Sequence, residues 1–350
     1  MQQRLKVGII GGGAISPSHV NGFRAAGAEV VALCDIDPAK LENAKRAWGI
    51  PVLVADAEEM FAMKELDVIA VAVPNYLHAP YTIKALKAGK HVLCEKPMAV
   101  RVADAEEMVA TAKATGKLLM AGHNQRMTPE IQKAAELVQD GVCGEIYHAR
   151  CGWIRRRGIP GLAGWFTTQE LSGGGPLVDI GIHVLDRTWY AMGKPKPIAV
   201  SGMTYAKFNS IEDYVCTGMW SGPRRPNGIK DVEDFATALV RFENGATLQF
   251  EVSWAANRAD EGSYSILMGD KAGVSVDDKG VTLYGQADNM IMTTSVAFDK
   301  TEYPDRHRHF VECLTLGDTC MVPAEDGLVM TKVLLGIQRS AAENREVTID

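Results

Sequence analysis

Six short apolar runs dominate the first third of the chain, at residues 5–10, 28–33, 52–54, 67–73, 91–94 and 118–121. Each is nearly uninterrupted, which suits a strand buried on both faces better than a half-exposed one. Helix-like segments separate them at residues 18–26, 38–48, 57–63, 81–88 and 103–115. This order predicts an α/β fold: a Rossmann-type, doubly wound parallel sheet with helices on its faces. The first run passes directly into Gly11-Gly12-Gly13-Ala14-Ile15-Ser16. Glycine lets the backbone approach a pyrophosphate, and a following helix start offers unbonded N–H groups. Ser16 occupies the place of a third glycine and is small enough for close helix–strand packing. Asp35 ends the second run, 22 residues after Gly13, where an acid bonds ribose hydroxyls. Gly11, Gly13, Ala14, Ile15 and Asp35 are therefore expected to contact a dinucleotide. The Asp35 charge repels a 2′-phosphate, so NAD is expected, while Lys40 nearby leaves NADP open. The competing account makes Asp35 a cap for the helix that starts at Pro38.

Beyond about residue 122 the pattern changes. Strand candidates at 146–153, 198–206, 235–242, 247–254 and 263–268 alternate polar and apolar residues, and Asn244-Gly245 is a hairpin signal. Helical patterns at 129–140, 176–192 and 323–343 accompany them. The expectation is a C-terminal α+β domain whose mostly antiparallel sheet leaves one face open. The division expected is an NAD-binding domain over 1–123 and a substrate-binding and oligomerisation domain over 124–350, ending in a helix at about 323–343. Residues 221–228, rich in Pro, Gly and Arg, read as a surface loop.

The 350 residues and 47% hydrophobic content allow two substantial cores, and a net charge of −6 argues against a nucleic-acid partner. No stretch approaches 18 uncharged apolar residues, so neither a membrane span nor a signal segment is expected. The seven cysteines contain no C-x-x-C pair. That speaks against a disulfide framework or a zinc site and for a reducing cytoplasm. His307 and His309 beside Asp305 hint at a metal only faintly, and none is expected.

Two further segments follow strand ends: Pro74-Asn75-Tyr76-Leu77-His78 and Glu95-Lys96-Pro97. A third, Asp179-Ile180-Gly181-Ile182-His183, lies in the second half. With the glycine cluster, in this order, they resemble the glucose–fructose oxidoreductase/inositol dehydrogenase/rhizopine-catabolism (Gfo/Idh/MocA) family over essentially the whole chain. The resemblance implies catalysis by Lys96, Asp179 and His183 on a sugar, glycoside or cyclitol, and a homodimer or homotetramer formed through the C-terminal sheet. Residues 155–160 and 171–176 look similar to a subgroup acting on pyranosides and anhydrosugars, often at C3. The resemblance also places Pro74, Asn75 and His78 along the nicotinamide half of the nucleotide.

Oxidising a carbinol needs a proton acceptor, a hydride acceptor and stabilisation of a developing alkoxide. An imidazole ordinarily titrates near neutrality, so His183 suits the first role, and the Lys96 ammonium suits the last. Pro97 biases Lys96 toward an extended backbone. Asp179 and His183 share a face if the segment is helical, either as working groups or as an ordinary i,i+4 pair. Glu95 contacts the nicotinamide ribose or pairs with a neighbour. Asn124 and Arg126 approach cofactor or substrate, with Arg126 in a hinge salt bridge as the alternative. Trp153, Trp165 and Phe166 offer faces to a sugar ring or belong to the core. Arg155, Arg156 and Arg157 bond hydroxyls or form a solvated charge run. Three functions remain: a dehydrogenase exchanging NAD with solution, a redox-neutral enzyme that keeps NAD and cleaves a glycosidic bond through a transient keto-sugar, and a non-catalytic nucleotide-binding regulator. The retained Lys96, Asp179 and His183 weigh against the last.

Overall fold

The computed structural model describes residues 4–208, 210, 212–216, 228–259 and 261–350. Most of the expected loop at 221–228 lies outside the described residues. Contacts divide the chain into two units, one of residues 1–122 with 304–331 and one of 123–303 with 332–350.

In the first unit, strands β1 (Lys6–Ile10), β2 (Glu29–Cys34), β3 (Val52–Val54), β4 (Val68–Val71), β5 (His91–Cys94) and β6 (Leu119–Ala121) alternate with helices α1 (Ser16–Ala25), α2 (Pro38–Trp48), α3 (Ala57–Ala62), α4 (His78–Lys87) and α5 (Val102–Thr115). The sheet order is β3-β2-β1-β4-β5-β6 and every pairing is parallel. This is the doubly wound arrangement that the continuous apolar runs predict, with β4 and the last three residues of β5 buried on both faces. Its order changes direction between β1 and β4, where ligands of such sheets bind. Asp37 caps α2, its side chain accepting from Ala39 N at 2.9 Å. Asp35 is thus released from the capping role.

The second unit contains α6 (Pro129–Gln139), β7 (Ile146–Ile154), a short α7 (Gln169–Ser172), α8 (Ile182–Ala191) and strands β8 (Pro197–Tyr205), β9 (Phe235–Phe242), β10 (Thr247–Ser253), β11 (Gly262–Gly269), β12 (Gly273–Asp277), β13 (Gly280–Ala287) and β14 (Met290–Ser295). After helices α9 (Arg306–Thr315) and α10 (Ala324–Glu343), β15 (Val347–Thr348) completes a nine-stranded sheet of order β14-β13-β12-β11-β7-β10-β9-β8-β15. Only β7 and β10 pair in parallel. Helix α8 packs on β7 and β11. The outer strand β14 is exposed throughout.

The helical segment expected at 176–192 is present, wound as a π-helix over Leu177–Gly181 before α8. Buried Glu233 accepts the Gly175 and Leu177 amides at 2.9 and 3.0 Å, so a carboxylate satisfies donors that have no intrahelical acceptor at the start of the segment. One expectation changes: residues 304–331 group with the first unit, although chain order puts them in the second. Ala121 N donates to Val322 O at 3.2 Å, which covers the β6 edge. Among the described residues no helix is long and apolar enough to cross a membrane.

Candidate active site

The β1–α1 turn explains its own glycines. Gly11 has φ +108, and a Cβ there would sit 2.1 Å from the Ala72 carbonyl oxygen. The chain therefore needs glycine both for the left-handed backbone and for the close approach to β4. Ser16 fills the third-glycine position, and its hydroxyl donates to Gly11 O at 2.6 Å. A Cβ on Gly13 would meet nothing within 4 Å, so the turn leaves open space beside the helix start. Asp35 is fixed at the end of β2: its Oδ2 accepts from Gly12 N at 2.7 Å and its Oδ1 from Asp37 N at 2.9 Å. Lys40 Nζ lies 3.2 Å from the same carboxylate. Ala14 and Ile15 are exposed on the turn. Open space, free helix start and a fixed carboxylate fit a dinucleotide.

The two strand-end loops are tied together by a residue expected to touch the nucleotide. His78 is buried, with Nδ1 2.7 Å from Pro97 O and Nε2 2.9 Å from Val73 O. Burial pushes its pKa below the usual value, against the pull of those carbonyls. Both ring nitrogens face backbone, so His78 joins the Val73–Pro74 and Lys96–Pro97 turns instead of reaching a ligand. Pro74 is half-buried and Asn75 buried between those turns' ends.

Glu95 is likewise turned inward. Its Oε1 accepts from Arg306 Nη1 at 2.7 Å and lies 3.0 Å from His19 Nε2. Burial alone would raise its pKa, but Arg306, His19 and Lys96 outweigh it and hold the carboxyl well below the usual range. Glu95 therefore pairs with neighbours, the second of the two sequence readings. His307 completes the cluster, its Nε2 3.2 Å from His19 Nδ1. A Cβ on Gly22 would fall 2.1 Å from the His307 ring, so glycine on α1 admits that imidazole. Lys96 follows Glu95 half-buried, and its peptide bond to Pro97 is cis. The partners His19 and Arg306 escaped sequence reasoning, since 211 positions separate Arg306 from Glu95.

The second unit gathers its own group. Asp179 sits on the π-turn, and its Oδ2 accepts from the indole Nε1 of fully buried Trp254 at 3.0 Å. His183 opens α8, with its ring 6.3 Å from that of Trp153 on β7. The Arg155 guanidinium lies 5.0 Å over the Trp153 ring. Burial lowers the Arg155 pKa, and the charge of Asp179 opposes that shift. A carboxylate, an imidazole, a guanidinium and an indole face thus assemble from two separate stretches of chain, 153–155 and 179–183. Such a set can hold hydroxyls and accept a proton. Trp254 was missed, because nothing in its local pattern links it to Asp179.

Other expected contacts lie elsewhere. Arg126 is fully buried, and its guanidinium pairs with Asp186, Nε to Oδ2 at 3.0 Å, with Tyr190 beneath it at 5.0 Å. His123 Nδ1 meets the same carboxylate. The salt-bridge reading of Arg126 replaces the substrate reading, because its side chain is fully buried and held by Asp186. Asn124 is exposed at the start of the turn Asn124–Met127. Trp165 stacks on Phe166 with centroids 4.0 Å apart. Arg156 is exposed, and Arg157 bonds Asn257 Oδ1 at 2.6 Å.

Comparison with known proteins agrees with this architecture. Residues 5–123 match the oxidoreductase family with an NAD-binding Rossmann fold, and residues 131–296 match the Gfo/Idh/MocA C-terminal domain. The chain belongs to the Gfo/Idh/MocA family of oxidoreductases, and its first unit is an NAD-binding domain. It is 31% identical to D-glucoside 3-dehydrogenase of Escherichia coli K12 over 99% of this chain and 97% of that one. It is 30% identical to 2,7-anhydro-N-acetylneuraminate hydratase of the same organism over 70% of this chain and 60% of that one. A solved levoglucosan dehydrogenase, in complex with NADH and L-sorbose, shares the fold with a TM-score of 0.87 and 22% identity, each chain fully covered.

Proposed function

We propose that the chain is an NAD-dependent dehydrogenase that moves hydride between a ring hydroxyl carbon of a sugar, glycoside or cyclitol and nicotinamide, with pyranoside C3 as the leading position. The observation that carries this reading is the grouping of Asp179, His183, Trp153 and Arg155 in the second unit. An indole face flanked by charged hydrogen-bonding groups suits a polyol ring, apolar on its C–H face and rich in hydroxyls at its rim. Identity to a D-glucoside 3-dehydrogenase over 99% of the chain supports the substrate class and the carbon.

Nicotinamide, when bound, supplies the hydride acceptor. In this reading His183 takes the hydroxyl proton during oxidation and returns it during reduction. The Lys96 ammonium steadies the negative charge on the reacting oxygen. Asp179, held by Trp254, orients the substrate hydroxyls or the imidazole. The anionic Asp35 favours NAD over NADP. The chain works in the cytoplasm, with domains dividing near residue 123. The exposed sheet edge at β14, where Ile291 is 94% exposed beside Met290 and Met292, suits a second copy of the chain in a homodimer or homotetramer.

The redox-neutral reading has support from the hydratase relative. It uses the same Lys96 and His183 but forms product without net NADH. The test is a screen of glycosides, anhydrosugars, free sugars and cyclitols with NAD and NADP, following absorbance and product together. NADH in step with keto-sugar supports the dehydrogenase. Product without NADH supports the alternative. Full activity in a folded His183→Ala variant rejects both assignments of that residue.

A further inference from the structure

Away from the groups described above, the segment 304–331 carries a second cluster. His309 and Cys313 lie one helical turn apart on α9 and share a face. Gly317, at φ +79, turns the chain back, and Cys320 returns to them. One donor atom from each of the three lies within 4.8 Å of the others, the one such grouping among the described residues. Cys313 Sγ is 3.4 Å from His309 Nε2. Tetrahedral zinc, with bonds of about 2.3 Å to sulfur and about 2.0 Å to nitrogen, sets those ligands roughly 3.5 Å apart.

We propose that His309, Cys313 and Cys320 bind one thiophilic divalent cation of the zinc class, at a structural site independent of the nucleotide. The donor set is the soft thiolate and imidazole chemistry that such ions select. The surroundings carry negative charge: Glu312 and Asp318 both act electrostatically on His309. Asp318 is exposed on the turn and, with water, is the candidate for a fourth ligand. Met321 N donates to His309 Nε2 at 2.9 Å. The cation takes that lone pair, leaving the amide beside the sulfur of the preceding residue, itself an acceptor. Each thiol gives up its proton on binding, so affinity rises with pH. The same strand of chain continues to Val322, which bonds Ala121 on β6. A cation at this point fastens that strap to the edge of the parallel sheet. The sequence holds no C-x-x-C pair, the commoner zinc spacing. The spacing H-x3-C-x6-C instead uses a helix turn and a reversal.

The test is a cobalt titration of the full-length, chelator-stripped and reduced protein. A single equivalent should generate thiolate-to-cobalt charge-transfer absorption, and zinc should abolish it and raise Tm. Cys313→Ser and Cys320→Ser should each lose the band, while Cys216→Ser keeps it. Alkylation of the wild-type chain, mapped by mass, needs no variant: zinc should protect Cys313 and Cys320 together. No band with all thiols reduced, a band that survives both serine variants, or equal labelling with and without zinc would overturn the site.

Discussion

Trp254 donates its indole N–H to Asp179 Oδ2 at 3.0 Å from a position with no solvent exposure. A buried donor of fixed orientation restrains a carboxylate on the π-turn. Trp254→Phe removes this donor and part of a fully buried side chain, so a loss of Tm accompanies the kinetic effect. Hydrogen bonds to charged groups contribute about 1.5–3 kcal/mol, so kcat/KM should fall roughly ten- to a hundredfold. Steady-state kinetics beside a melting curve separates this from unfolding. An unchanged kcat/KM would show that the Asp179 position does not matter to turnover.

Asp35 and Lys40 pair at 3.2 Å at the end of β2, and in the proposed function that carboxylate reads the cofactor's ribose. Asp35→Ser should weaken NAD and free Lys40 for a 2′-phosphate. The ratio of NAD to NADP efficiency should shift toward NADP by at least about tenfold, about 1.4 kcal/mol. A ratio unmoved by the change would mean that other groups read the ribose.

Two glycines of one turn should behave differently. Gly11→Ala forces a Cβ to 2.1 Å from the Ala72 oxygen at φ +108, so lost folding yield or a large drop in Tm is expected. Gly13→Ala meets open space and should leave Tm nearly unchanged while weakening NADH binding, read by fluorescence titration. Equal effects of the two on Tm would contradict this geometry.

Asp186 makes stability sensitive to acid. Burial would raise its pKa, but Arg126 and His123 reverse this and hold it below the ordinary value. The folded pKa is therefore the lower one. The stabilisation is fully present above the unfolded value of about 4 and is lost as pH falls through the folded value. Asp186→Asn should flatten that part of the pH–stability curve. Arg126→Leu strands a buried carboxylate and should cost about 3–5 kcal/mol. A raised sugar KM in Arg126→Leu with unaltered Tm would instead return Arg126 to the substrate.

Much of the first unit is legible residue by residue. Gly11, Ser16 and Asp35 sit at the ends of strands whose apolar runs are contiguous, so spacing alone brings them to one edge. The Asp179–His183 pattern is readable too, but its π-turn is not. That turn depends on Glu233 accepting amides from 58 and 56 positions away. Glu95 and His78 show the opposite failure. Their motif is visible, yet their side chains face inward onto Arg306, His19 and two backbone carbonyls.

The sequence by itself determined the order of strands and helices, the dinucleotide turn and the residue types available for carbinol chemistry. Those follow from periodicity and from short spacings, which local backbone geometry converts directly into position. Tertiary structure decided which polar groups are spent on one another: Trp254 on Asp179, Arg126 on Asp186, Arg306 on Glu95. A buried charge or donor must find a partner once water is excluded. Which partner arrives depends on packing between segments far apart in the chain.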